Sequence, residues 1–145
     1  MSEIENFLSP QEEQAIIAAI QEAEKNTSGE IRIHLEKTAK IDVFDRALEV
    51  FHMLKMTNTK HQNGVLIYVA VADRNFVIFG DKGINEVVGP DFWDSTRNAI
   101  QSAFKEGRFK DGLVAGVLQA GMALKQHFPW EQQDTNELPN SISKG

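Results

Sequence analysis

Two groups of carboxylates in this chain stand where loops meet regular structure, and each could hold a hard cation. The first group is Asp42, Asp45 and Asp73. Asp73 lies in Ala72-Asp73-Arg74-Asn75, a tight connection between two apolar runs, while Asp42 and Asp45 lie where a polar stretch passes into a helix. The second group is Asp81, Glu86, Asp91 and Asp94, beside glycines and at the start of a later helix. Carboxylate oxygens of this kind suit Ca²⁺ or Mg²⁺, which take oxygen ligands and fill the remaining positions with water. Each residue also has a plainer use. Asp73 can simply form its turn. Asp42 and Asp45 can simply favour a helix start through the helix dipole. Asp81 can be an ordinary loop residue.

Other chemistries find less support. There are no cysteines, which excludes thiolate nucleophiles, thiolate metal ligands and disulfides. His34, His52, His61 and His127 show no helical zinc spacing. Gly80-Asp81-Lys82-Gly83 has neither the Lys-Ser/Thr of a phosphate loop nor the glycine triplet of a dinucleotide fold. Phosphoester hydrolysis needs a nucleophile or an activated water. The chain has no Asp-x-Asp pair, so a metal-assisted water near Asp42 and Asp73 is the route left open.

The elements that position these groups follow from periodicity. Ser9-Pro10-Gln11-Glu12 is a helix start with a capping box, and Ile16, Ile20 and Ala23 recur at helical spacing after it. Residues 30–37 alternate, with Ile31, Ile33 and Leu35 on one side and Arg32, His34 and Glu36 on the other. That predicts a strand with one wetter face, near a sheet edge. Residues 41–56 return to helical spacing, with Phe44, Leu48 and Phe51 as the apolar stripe. Residues 57–63 form a loop. Val65 to Val71 is apolar on both faces, which predicts a central covered strand. Phe76 to Phe79 follows too soon for a parallel crossover, so these two strands form an antiparallel hairpin. Residues 84–89 suit a helical turn or a short strand. A helix is expected from Pro90 to about Lys105, with Trp93, Ile100, Ala103 and Phe104 inward, and another from Lys110 to His127. Residues 130–145 are polar and predict a mostly disordered tail after a domain of 1–129.

The fold class is therefore α/β: a three-layer, Rossmann-like sandwich. Its small mixed sheet combines a parallel pair with an antiparallel hairpin, with helices on both faces. In that frame the loop 38–42 and Asp73 share the carboxyl edge of the sheet, where ligands of open α/β sheets bind. Asp81 follows Asp73 by eight residues of extended chain, ~26 Å at strand rise, and belongs to the opposite edge near Glu30 and Asn63. Glu86, Asp91 and Asp94 could serve either edge.

The net charge of −6 disfavours a nucleic-acid partner and favours cations or basic partners. The apolar stretch over 113–124 is shorter than the ~20 residues of a membrane span, so no membrane insertion is expected. Met1 to Asn6 has neither basic nor apolar character, so no signal peptide is expected, and the location expected is cytoplasmic.

One ordered series of motifs resembles a known family. Asn63-Gly64-Val65-Leu66-Ile67-Tyr68-Val69-Ala70, then Asp73-Arg74, Gly80-Asp81-Lys82-Gly83-Ile84, Phe104-Lys105-Glu106-Gly107 and Gly112-Leu113 are similar to the TPM domain family. The family includes thylakoid-lumen proteins of photosystem II repair, a nematode receptor modulator and many bacterial proteins. The resemblance spans about 9–128. It implies a three-layer Rossmann-like fold, divalent-cation binding and, in some members, acid phosphatase activity. The family pattern places a glutamate after the glycine-aliphatic pair that follows the third strand; this chain has Asn85 there, with Glu86 next. Together these readings lead to a monomeric Ca²⁺- or Mg²⁺-binding domain acting as an interaction or regulatory module, with another protein as its partner. The alternative is a metal-dependent acid phosphatase of low efficiency.

Overall fold

A computed structural model describes residues 6–130 and 138–145. The chain runs α1 (Pro10–Glu24), β1 (Glu30–Glu36), α2 (Val43–Met53), β2 (Gly64–Ala70) and β3 (Asn75–Gly80). It continues through α3 (Lys82–Asn85), α4 (Asp94–Lys105), α5 (Phe109–Lys125) and β4 (Ser143–Lys144). The strands form one sheet in the order β3-β2-β1-β4. β1 is parallel to β2 and to β4, and β2 is antiparallel to β3.

Local chemistry accounts for the elements. The Ser9 hydroxyl accepts from the Glu12 amide at 3.1 Å, and the Glu12 carboxylate accepts from the Ser9 amide at 2.9 Å. This capping box satisfies two amides that α1 cannot pair internally. Every residue of β2 is buried, so the strand must be covered on both faces. On one face Ile31, Ile33, Leu35, Val65, Ile67 and Val69 pack under α1, α4 and α5. On the other, Leu66, Tyr68 and Ala70 pack with Ala47, Val50 and Phe51 of α2. The three layers predicted by the sequence are therefore present.

Four details depart from the sequence reading. β1 lies inside the sheet, because β4 pairs His34 with Ser143 and Leu35 with Lys144. The tail is thus not without structure. Its residues 131–137 lie outside those described, but beyond them Leu138 is 6 % exposed in the α2-side core and Gly145 donates to the Leu35 carbonyl at 2.9 Å. α2 buries Ala47, Val50 and Phe51, leaving Phe44 51 % and Leu48 38 % exposed. The helix expected from Pro90 starts at Asp94, after a turn that buries Trp93.

Gly83 fixes the chain at the far end of the hairpin. Its amide donates to the Gln62 carbonyl at 2.8 Å. A Cβ at this position would overlap the His61 carbonyl oxygen and lie 2.6 Å from that of Gln62. Both obstacles are backbone, which cannot rotate aside. Gly83→Ala should therefore destabilise the fold by roughly 2 kcal/mol or more, as strained backbone substitutions do. Urea unfolding checks this: a lower midpoint with an unchanged slope is expected, and an unchanged midpoint would show that the loop yields freely.

Candidate metal centre

The pairing register decides which carboxylates share an edge. Glu30 pairs with Gly64 and Val65 with Gly80, so the start of β1, the start of β2 and the end of β3 lie together. The Asp81 amide closes this edge by donating to the Gly64 carbonyl at 2.9 Å. The hairpin tip with Asp73 lies at the opposite edge, beside the end of β1.

At the Asp73 edge, the carboxylates are engaged with backbone and hydroxyl groups. Asp73 Oδ2 accepts from Thr38 Oγ1 at 2.7 Å and from the Ala39 amide at 3.3 Å. It ties the hairpin tip to the loop after β1. Asp42 Oδ2 accepts from the Phe44 and Asp45 amides at 3.1 and 3.3 Å, so Asp42 is the N-cap of α2. Asp45 lies in the first turn of that helix. Asp42, Asp45 and Asp73 are all exposed.

At the other edge the situation differs. Asp81 is 8 % exposed and caps the short helix α3, with Oδ1 accepting from the Lys82 amide at 2.7 Å. Its second oxygen, Oδ2, is buried and has no hydrogen-bond partner among the described residues. A buried acceptor left unsatisfied costs about 1–3 kcal/mol, and more when charged. Asp81 lines a cavity of about 390 Å³ together with His52, Thr57, Lys82, Asn85 and Glu86. The Asn85 amide nitrogen donates to the Gly80 carbonyl at 3.1 Å, which leaves its side-chain oxygen as an acceptor. The Glu86 carboxylate lies 3.9 Å from Lys82 Nζ. Asp94 pairs with Arg97 at 2.8 Å, and neither it nor Asp91 lines this cavity. Among the described residues, no three of the His, Asp and Glu side chains are grouped so as to hold a metal by themselves. A cation here would therefore rely on Asp81, Glu86, the Asn85 oxygen and water.

Alternation in β1 concealed a third polar cluster. Arg32, His34 and Glu36 were expected on a wet face, yet His34 is 2 % and Glu36 9 % exposed. Arg46 of α2 clamps Glu36 through two bonds of 2.9 and 2.5 Å, and Tyr68 donates to it at 2.6 Å. The guanidinium first, and then the phenol, hold the Glu36 carboxyl down at about 2. Burial pushes the Tyr68 phenol up and lowers His34, which stays neutral while its Nδ1 bonds Ser143 at 2.9 Å. Both carboxylate oxygens of Glu36 are thus engaged as acceptors, and the cluster holds α2 and β4 to β1. The signal in the sequence was faint: Arg46 lies ten residues from Glu36, on another element.

Glu24 is perturbed in the other direction. Burial and a bond shared with Glu30 raise it to about 9, although it accepts from the Ile31 amide at 3.0 Å. Two carboxyls in contact keep one proton between them at neutral pH.

With this geometry in view, the class is a small α/β/α sandwich on a mixed four-stranded sheet. The chain belongs to the TPM domain family, whose sequence profile matches residues 2–123. It is similar over its full length to the BA42 protein of the psychrophilic bacterium Bizionia argentinensis, whose NMR structure superposes with a TM-score of 0.93. The two are 70 % identical, and all of both chains is covered. Two more distant NMR structures share the fold. The N-terminal domain of the cg2496 protein of Corynebacterium glutamicum is 13 % identical with a TM-score of 0.66, covering 97 % of this chain and 83 % of that one. The N-terminal domain of a P. gingivalis protein is 19 % identical with a TM-score of 0.68, covering 84 % and 79 %. No curated protein matches the chain. Among the described residues, no helix is long and apolar enough to cross a membrane.

The raised Glu24 has a consequence for stability. Its folded value of about 9 lies above that of a carboxyl in an unfolded chain, ~4.3. Its favourable contribution is therefore complete below the unfolded value and is lost as pH rises through about 9. The urea midpoint should fall between pH 5 and 9. Glu24→Gln, which keeps a donor to Glu30 but cannot ionise, should flatten that fall. An equally steep decline in the variant would assign it to other groups.

Proposed function

We propose that this chain is a divalent-cation-binding domain that acts as an interaction or regulatory module, with Ca²⁺ or Mg²⁺ bound at Asp81 rather than at Asp73. The observation that supports this reading is the buried, unpartnered Oδ2 of Asp81 beside Glu86 and Asn85. A carboxylate oxygen in that position gains more from a cation than the exposed Asp73, whose Oδ2 already has a hydroxyl and an amide. Two carboxylates, one amide oxygen and several waters make a weak site, at the millimolar end of the range for Ca²⁺. Bound metal would tie α3 to the end of β3, and so link the cation level to the shape of an edge strand that a partner protein could read. The module location in view remains the cytoplasm. The enzymatic alternative, a metal-dependent phosphatase of low efficiency, would place its activated water at the same cation.

Backbone amide shifts followed during Ca²⁺ and Mg²⁺ titration test the proposal. Saturable changes at Asp81, Lys82, Asn85 and Glu86 are expected at millimolar metal. They should vanish in Asp81→Asn, which keeps the helix cap, and persist in Asp73→Ala. Changes centred on Asp42 and Asp73, or none at all, would overturn the assignment. Hydrolysis of a generic phosphomonoester, abolished in Asp81→Asn, would shift the reading to the phosphatase.

A further inference from the structure

A cavity of about 730 Å³ lies at the edge of the sheet opposite Asp81. It opens between the β2–β3 hairpin tip, the end of α4, the start of α5 and Phe7. Its walls are mainly Phe7, Phe76, Phe104 and Phe109, each only partly buried. Phe76 and Phe109 stand edge-on to Phe104, with ring centroids 5.5 and 5.3 Å away, and Phe7 lies 4.5 Å from Phe109. These contacts hold the rings in place, so the cavity is preformed. Its size is within the ~300–1,000 Å³ of small-molecule sites, and a mainly aromatic wall with a few polar groups is their usual make-up.

The polar side chains at its rim are two neutral amides, Asn75 and Gln101, and two cations. Arg74 and Lys105 line the cavity, and among the described residues no carboxylate does. In a chain of net charge −6 that local excess of positive charge is unusual. The acidic neighbours of both residues are turned to other partners. Asp73, next to Arg74, is bound to Thr38 and Ala39. Glu106, next to Lys105, pairs with Arg108 at 3.2 Å. Neither Arg74 nor Lys105 has an ion-pair partner among the described residues. Arg74 is also held in the left-handed region, at φ 52°, a conformation that non-glycine side chains rarely adopt.

We infer that this cavity binds a small amphiphilic anion, with an aromatic or aliphatic body against the phenylalanines and a single anionic headgroup at Arg74 and Lys105. Apolar burial supplies the attraction for the body, and the two cations set its orientation and exclude neutral or cationic analogues. The guanidinium fork accepts either a carboxylate or a phosphate monoester. The site is separate from Asp81, so it neither requires nor excludes a bound metal.

Four probes with one body separate the terms: 3-phenylpropanoate, 2-phenylethyl phosphate, 3-phenylpropanol and 2-phenylethylammonium. Each is titrated into metal-free full-length protein while amide shifts are followed. Saturable shifts at Phe76, Phe104, Lys105 and Phe109 are expected for the two anions, and the tighter one identifies the headgroup class. The alcohol and the ammonium should bind at least about tenfold more weakly, a difference of about 1.4 kcal/mol. The double variant Arg74→Asn, Lys105→Gln should bring the anions down to the alcohol. Asn tolerates the left-handed backbone at position 74, and both side chains are exposed, so the fold is expected to survive. Equal binding of anion and alcohol, undiminished anion binding in the double variant, or anion shifts centred elsewhere would overturn the inference, as would no saturable shift with either anion.

Discussion

Strand β2 has no exposed residue, and the rest of the molecule is arranged to keep it so. A two-sided apolar strand gains its stability only if both faces are withdrawn from water. Helices α1, α4 and α5 cover one face, and α2 with Leu138 covers the other. The neighbours of β2 in the sheet are then fixed by length of connection. The long path through α2 makes β1 parallel, and the short turn at Asp73 makes β3 antiparallel. From that register comes the distribution of function, because it sends Asp73 to one edge of the sheet and Asp81 to the other.

The two edges have opposite chemistry. Around Asp81 a buried carboxylate oxygen lacks a partner among the described residues, and Glu86 and Asn85 supply further oxygens beside His52 and Lys82. Around Arg74 two cations lack an ion-pair partner among the described residues, and the surface nearby is aromatic. A single sheet about seven residues long thus separates an acceptor for cations from an acceptor for amphiphilic anions. The polar cluster of Glu36, Arg46 and Tyr68 belongs to neither. Its groups satisfy one another, and its role is to fasten α2 to β1.

Much of this was legible because it depended on local pattern. The apolar run from Val65, the short Asp73-Arg74 turn and the capping box at Ser9 each carry their own instruction, and each has the form expected. The separation of Asp81 from Asp73 followed from strand rise alone. What was not legible depended on elements distant in sequence. The alternation in β1 looked like a wet face, since nothing local reveals that Arg46 and Ser143 will cover it. The stripe of Phe44, Leu48 and Phe51 fits helical spacing, but the sheet meets α2 slightly to one side, at Ala47, Val50 and Phe51. Asp81 shares its cavity with Leu48, Phe51 and His52 of α2 and with Thr57 beyond it, and one aspartate beside glycines gives no sign of that. For the same reason Phe104, which lines the large cavity, reads as ordinary core.

The central claim is that a cation binds at the Asp81 edge and not at the Asp73 edge. The two edges are separated by the length of β2, roughly 23 Å at strand rise. Mn²⁺ accepts the same oxygen ligands as Mg²⁺ and Ca²⁺, and its unpaired electrons broaden nearby amide resonances. Substoichiometric Mn²⁺ added to the metal-free protein is therefore the most direct measurement. The account predicts that amides of Asn63, Gly64 and residues 80–86 broaden first, while Thr38, Ala39 and Asp73 stay sharp. Early loss of Thr38, Ala39 and Asp73 with residues 80–86 intact would contradict it.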